Sequence, residues 1–119
     1  MHYMALIYID EAAVEATPPA ERAAVTARYH ALAAEARAGG VMRGGEELAP
    51  TRDATTVRVR DEQSLVVDGP YAEAREVLGG YFLFECATME DALEWAARIP
   101  AAERGAVEVR PVYADHTEA

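Results

Sequence analysis

Two segments of this 119-residue chain are apolar on both faces of an extended strand. In His2–Ile9 the alternation puts Tyr3, Ala5, Ile7 and Ile9 on one side and Met4, Leu6 and Tyr8 on the other. Residues 81–87 repeat the pattern around Phe82, Phe84 and Cys86. Such strands need cover on both sides, because a bare face would leave a larger apolar patch than monomers carry. The chain supplies only two strong helical segments, enough for one face of a sheet. The sequence therefore predicts helices on one face and a second sheet, from another copy, on the other. With 51% hydrophobic and 27% charged residues, the chain has the balance of one globular domain with its own core. That domain is expected over residues 1–113, with a frayed tail from Ala114.

Asp10 and Glu11 end the first strand. Thr17 reads as an N-cap, and Pro18-Pro19 opens a helix over residues 18–38, a stretch of good helix formers. Val25, Tyr29, Leu32, Ala33 and Ala36 recur at helical spacing and mark its buried side, and Gly39-Gly40 stops it. A strand follows over residues 41–48, with Gly44-Gly45 as a bulge. Residues 55–60 and 63–67 make a hairpin that turns at Asp61-Glu62, the first arm with one solvated face. Thr88 and the acids after it resemble a capping box. They open a helix to residue 99 whose buried side is Met89, Ala92, Leu93 and Ala96. Pro100 ends it, and residues 106–113 form the last strand. The order is β-α-β, a hairpin, then β-α-β.

Chemistry concentrates in residues 68–80, Asp-Gly-Pro-Tyr-Ala-Glu-Ala-Arg-Glu-Val-Leu-Gly-Gly. Asp68-Gly69-Pro70 stops one apolar strand and Gly79-Gly80 releases the chain into the next. Both flanking strands read as buried, so three acids (Asp68, Glu73 and Glu76), a phenol and an arginine share a short loop on a rigid scaffold. Asp68 at the strand end is the first candidate. Partial burial would raise its pKa and suit it to general acid or base work; alternatively its carboxylate bonds the amides of its own turn. Arg75 can fork onto a ligand carboxylate with Glu73 beside it, or the two can form a surface ion pair. Tyr8, Tyr71 and Tyr81 line a pocket with their hydroxyls or simply pack. Arg110 reaches the same cleft from the last strand or stays an edge charge. His30 lies about 100° around its helix from Tyr29 and faces solvent. His2 and His116 sit near the termini and read as incidental.

The loop resembles the signature of the YCII-related family in its DGPF-type branch, Asp-Gly-Pro-Phe-(Ala/Thr)-Glu-Thr-Lys-Glu-Gln-Leu-Gly-Gly. Residues 3–8, 44–48, 55–58 and 107–111 fit the same family in the same order. Tyr71 stands where Phe is usual, Ala74-Arg75 where Thr-Lys is usual, and Val77 where Gln is usual. The resemblance implies an α+β ferredoxin-like sandwich of the dimeric α/β-barrel superfamily type, assembled as a homodimer. In the broader family it implies a His–Asp pair with the histidine on the first helix. His30 is the histidine at hand, although counting back from Gly39-Gly40 reaches Arg28 or Tyr29. Two functions follow from the resemblance. One is a small-molecule enzyme with Asp68 as general acid or base in a cleft of the dimer. The other is a non-catalytic dimeric module for a ligand or protein, since DGPF-type proteins resemble accessory partners of extracytoplasmic-function sigma factors. No cofactor is implied.

Other classes are disfavoured by charge and spacing. Eleven Lys and Arg against 21 Asp and Glu give a net charge of −10, which opposes binding to nucleic acid or an anionic membrane. The single cysteine, Cys86, cannot pair within the chain and reads as a buried, inert thiol of a reducing cytoplasm. No apolar run reaches the ~20 residues of a membrane span, and the first residues lack a signal peptide's basic n-region and cleavage site. Metal-ligand spacings, phosphate-binding glycine motifs and the nucleophile elbow are absent from the sequence.

Overall fold

The computed structural model describes residues 1–114; His116 and the tail from residue 115 lie outside them. The elements are β1 (His2–Ile9), α1 (Glu11–Ala16), α2 (Pro19–Ala38), β2 (Met42–Glu47), β3 (Thr55–Arg60), β4 (Gln63–Asp68), β5 (Val77–Glu85), α3 (Met89–Ala96) and β6 (Ala106–Pro111). Short 3-10 turns lie at Thr51–Asp53 and Pro100–Glu103. Four strands form an antiparallel sheet in the order β2-β5-β1-β6. The two strands that read as apolar on both faces are its two central strands. This α+β order, with a hairpin inserted between β2 and β5, is compatible with a ferredoxin-like fold.

Helices cover one face only. Tyr3, Ala5 and Ile7 of β1 and Phe82 and Phe84 of β5 are buried there beneath Leu32, Ala33 and Ala36 of α2 and Ala92 and Ala96 of α3. Phe82 stacks on Phe84 at 5.5 Å, and Trp95 of α3 tilts against Phe84 at 6.2 Å. Leu93 does not join this core: it is 49% exposed, while Ile99 just past α3 is fully buried. The inward side of α3 runs through Met89, Ala92, Trp95 and Ala96, and the chain then tightens so that Ile99 and Pro100 drop inward.

Three boundaries differ from those expected. Asp10 does more than end β1: its carboxylate accepts from the Ala13 amide at 3.2 Å and caps α1. Thr17 closes that helix, its hydroxyl donating to Ala13 O at 2.8 Å, so the N-cap of α2 is Pro18 and Pro19 opens the helix. β5 starts at Val77, four residues early, with Gly79 and Gly80 inside it. A β-carbon on Gly79 would lie 2.8 Å from Ile9 Cδ1, and one on Gly80 would lie 2.7 Å from the Glu46 carbonyl oxygen. These glycines allow close approach of neighbouring chains; they do not release the strand. The β2 bulge falls between Met42 and Gly44, one residue ahead of the Gly-Gly pair.

The sheet face away from the helices is bare. Pairing sets Met4 opposite Leu83, Leu6 opposite Tyr81 and Tyr8 opposite Leu78, so these side chains share one stripe. Ion pairs flank it: Arg43–Glu85 at 2.5 Å on one side and Arg110–Glu108 at 3.2 Å on the other.

The hairpin β3–β4 is a separate two-stranded sheet. Its turn residues, Asp61 and Glu62, both have positive φ, as the mirror-image hairpin turns demand. β4 was expected to be buried, yet every one of its residues is exposed, because the hairpin stands off from the four-stranded sheet. The radius of gyration is 16.3 Å, against about 13.5 Å for a compact domain of this length.

Candidate functional site

An open cleft of about 460 Å³ forms where β1 passes into α1. Asp10, Glu11 and Ala12 line it from one wall, with Thr51, and Pro70, Ala72 to Arg75 and Val77 line it from the loop opposite. The local sequence explains the arrangement. Asp10 must point back over the first turn of α1 to cap it. Pro70 and the small Ala72 and Ala74 line the cleft beside Glu73 and Arg75. The volume is within the range of small-molecule sites.

Both carboxylates of the first wall are held ionised. Asp10 takes the Ala13 amide and the Arg75 Nε at 3.2 Å, and these bonds, the backbone one foremost, lower its pKa. Glu11 takes the Thr51 hydroxyl in a short bond and the Thr51 amide at 2.9 Å, which lower its pKa in turn. Arg75 is highly exposed, with 89% of its side chain open to solvent. Among the described residues only its Nε is bonded, so its two terminal nitrogens remain open to an incoming acceptor. A second hollow of about 270 Å³ adjoins the first and is lined by Asp10, Arg75, Glu76 and Arg104. Arg75 borders both.

Of the residues singled out from sequence, Glu73 and Arg75 meet in this cleft. Arg75 pairs with Asp10, not with Glu73. Asp68 ends β4 opposite Thr55, exposed and outside the residues lining the cleft, so the burial that would favour acid–base work is missing in the chain. Tyr71 is 79% exposed, and among the described residues its backbone oxygen alone is engaged, by Arg58 at 3.3 Å. Tyr8 and Tyr81 lie half-buried on the bare sheet face, and Arg110 pairs there with Glu108. His30 is exposed on α2. The two other positions counted for a histidine are occupied elsewhere: Arg28 grips Glu103 with both terminal nitrogens, and Tyr29 stacks on Phe82. Among the described residues no group of three or more His, Cys, Asp and Glu is placed to hold a metal, and no helix is long and apolar enough to cross a membrane.

The model of the YCII-related domain family matches residues 1–114, all of the described fold. The chain belongs to the YCII-related domain family. It is 33% identical over 114 residues to an uncharacterised protein of Rhizobium meliloti (strain 1021), covering 94% of this chain and 92% of that relative. Neither comparison brings an activity, so in this YCII-related protein the site must be read from its own geometry.

Sequence reasoning missed Asp10, Glu11, Thr51 and Arg104. Asp10 and Glu11 read only as the end of the first strand. The available signal was the run of strong helix formers after Asp10, which marks it as a cap instead of a strand end. Thr51 and Arg104 carry no local signal, and only the fold brings them to the end of β1.

Proposed function

We propose that this YCII-related protein is a homodimer that binds a small polar molecule in the Arg75 cleft, and that it acts as a ligand-binding module and not as an acid–base enzyme built on Asp68. The observation that carries the reading is Arg75: its Nε is fixed on an ionised Asp10 while its remaining donors face two hollows. A planar guanidinium held by one edge suits bidentate capture of a carboxylate. Glu73 lines the same cleft without a cation partner among the described residues and supplies an acceptor for an amino group. A small zwitterion matches both. The bonded, ionised carboxylates of the first wall make poor bases and good positioning groups.

The bare stripe of Met4, Leu6, Tyr8, Leu78, Tyr81 and Leu83 supports the dimer. It has the apolar centre and charged rim of a protein interface, and a second sheet laid on it would complete a barrel.

The test is a calorimetric and thermal-shift screen with free amino acids, their deaminated acids and their decarboxylated amines. Amino acids should bind best. Arg75→Gln and Glu73→Gln should each remove the effect, and Asp68→Asn should leave it. Loss of binding in the Asp68 variant alone, or no response to any compound, sinks the proposal.

A further inference from the structure

Two arginines border the second hollow, and one of them has no carboxylate of its own. Arg75 holds Asp10 through Nε at 3.2 Å. Arg104 is bonded to no carboxylate among the described residues. Its sequence neighbour Glu103 is gripped by both terminal nitrogens of Arg28, at 3.0 and 2.7 Å, and feels Arg104 as a nearby charge. We propose that the second hollow is the subsite for the ligand's carboxylate, and that Arg104 is the second arm of a clamp begun by Arg75. The inference rests on the reading of the Arg75 cleft as a binding site and adds the orientation of what binds there.

The backbone fixes the place of Arg104. It follows the 3-10 turn Pro100–Glu103, whose Pro100 is buried. The Arg104 and Gly105 amides both donate to Ala101 O, at 3.3 and 2.7 Å. A β-carbon on Gly105 would collide with Tyr8 O, so this turn lies directly on the end of β1, just ahead of Asp10. The Arg104 residue is itself exposed and takes no part in the core. An exposed guanidinium on a fixed turn, sharing a hollow with a second guanidinium, is an arrangement that takes an oxyanion.

Size and charge say which end of a ligand belongs there. The second hollow, about 270 Å³, is below the ~300 Å³ at which whole-ligand pockets begin, while the first has about 460 Å³. The smaller one suits an end group. Arg75 and Arg104 bring two positive charges to it, and Asp10 and Glu76 two negative ones. A carboxylate adds one negative charge to this balanced hollow and a phosphate dianion adds two. Repulsion from Asp10 and Glu76 therefore favours the carboxylate. The larger hollow holds the apolar lining, Pro70, Ala72, Ala74 and Val77, together with Glu73. The ligand lies with its acid end at the two arginines and its body and amino group along the loop from Pro70.

The test is calorimetry of the full chain with alanine, leucine and glutamine, each against its carboxamide. The carboxamide keeps the body and the amino group and loses the charged acid end. Arg104→Gln should weaken the free amino acids ~10-fold, the scale of one hydrogen bond to a charged group, and leave the carboxamides unchanged. Arg104→Lys keeps the charge without the fork and should recover part of the loss. Both variants should keep the wild-type Tm, because the side chain stands outside the core. Acetate should displace bound leucine at a lower concentration than inorganic phosphate. If Arg104→Gln binds the amino acids as wild type does while Arg75→Gln does not, the clamp is refuted and the Arg75 cleft stands. Equal losses for amino acids and carboxamides, or phosphate displacing leucine before acetate, also refute the carboxylate subsite. A wild-type chain that binds none of the three amino acids overturns the clamp together with the reading it rests on.

Discussion

Gly80 offers a test of whether the Gly-Gly of the signature segment serves flexibility or packing. It sits in β5 between Ile7 of β1 and Glu47 of β2. An added β-carbon would meet three backbone atoms of β2: the Glu46 oxygen at 2.7 Å, the Glu47 Cα at 3.4 Å and the Glu46 carbonyl carbon at 3.6 Å. A relaxed carbon-to-oxygen contact needs ~3.3 Å, so β2 must retreat by roughly 0.6 Å and strain its ladder bonds to β5. Overpacking of this kind costs about 1–3 kcal/mol, and the smaller unfolded-state entropy of alanine returns roughly 0.4–1 kcal/mol. Gly80→Ala should therefore lose about 1–2 kcal/mol, a fall of roughly 4–15 °C in Tm for a domain of this size. Gly44→Ala is the control on the neighbouring strand. Its β-carbon meets only the Leu83 Cβ at 3.8 Å, an ordinary contact, and neither glycine has a positive φ. Gly44→Ala should be neutral or stabilising by up to ~1 kcal/mol. Urea unfolding at one fixed protein concentration, followed by circular dichroism and Trp95 fluorescence, compares the two. If both substitutions cost the same, or if Gly80→Ala is neutral, the close approach of β2 is not what requires glycine there.

Two further outcomes follow from the hydrogen bonds and burial already described. Glu11 has its pKa lowered by Thr51, so its contribution to stability is complete above its unfolded value of 4.5 and is lost as pH falls through the lower folded value. Thr51→Val removes the hydroxyl and keeps the amide; its Tm deficit should be largest at neutral pH and should shrink below pH 4.5, and a deficit independent of pH would contradict the assignment. Cys86 is buried, and burial raises the pKa of its thiol. A neutral-pH thiol reagent should label it slowly in the native protein and rapidly in urea, and fast native labelling would show that its strand end opens.

The central layer of this fold was legible because its signals are local. Alternating apolar residues gave β1 and most of β5, the 3.6-residue spacing gave the buried side of α2, and Thr88 caps α3 as read, accepting from the Asp91 amide at 3.1 Å. The errors arose where two local signals competed. Asp10 is both a strand terminator and a helix cap, and the capping role produced α1, which the sequence reading had passed over. Thr17-Pro18-Pro19 offered two caps, and Thr17 went to the earlier helix. For β4, an apolar run of Ser64 to Val67 looked buried by composition, yet composition cannot say whether a hairpin lies on a core or stands off from it.

The same distinction separates the parts of the signature segment. Read as one motif, residues 68–80 gather the candidate chemistry at a single point. In three dimensions the segment changes surroundings twice. Asp68, Gly69 and Tyr71 go with the exposed β3–β4 arm, where Thr56 and Arg58 bond the Gly69 and Tyr71 oxygens. Pro70, Ala72 to Arg75 and Val77 line the cleft with Asp10 and Thr51. Gly79 and Gly80 are fixed against Ile9 and β2. Sequence proximity thus joined Asp68 to Arg75, while the fold gave Arg75 a partner 65 positions away. A substitution at Asp68 acts on the arm and one at Arg75 acts on the cleft; the bonds of Gly69 and Tyr71 join the two regions.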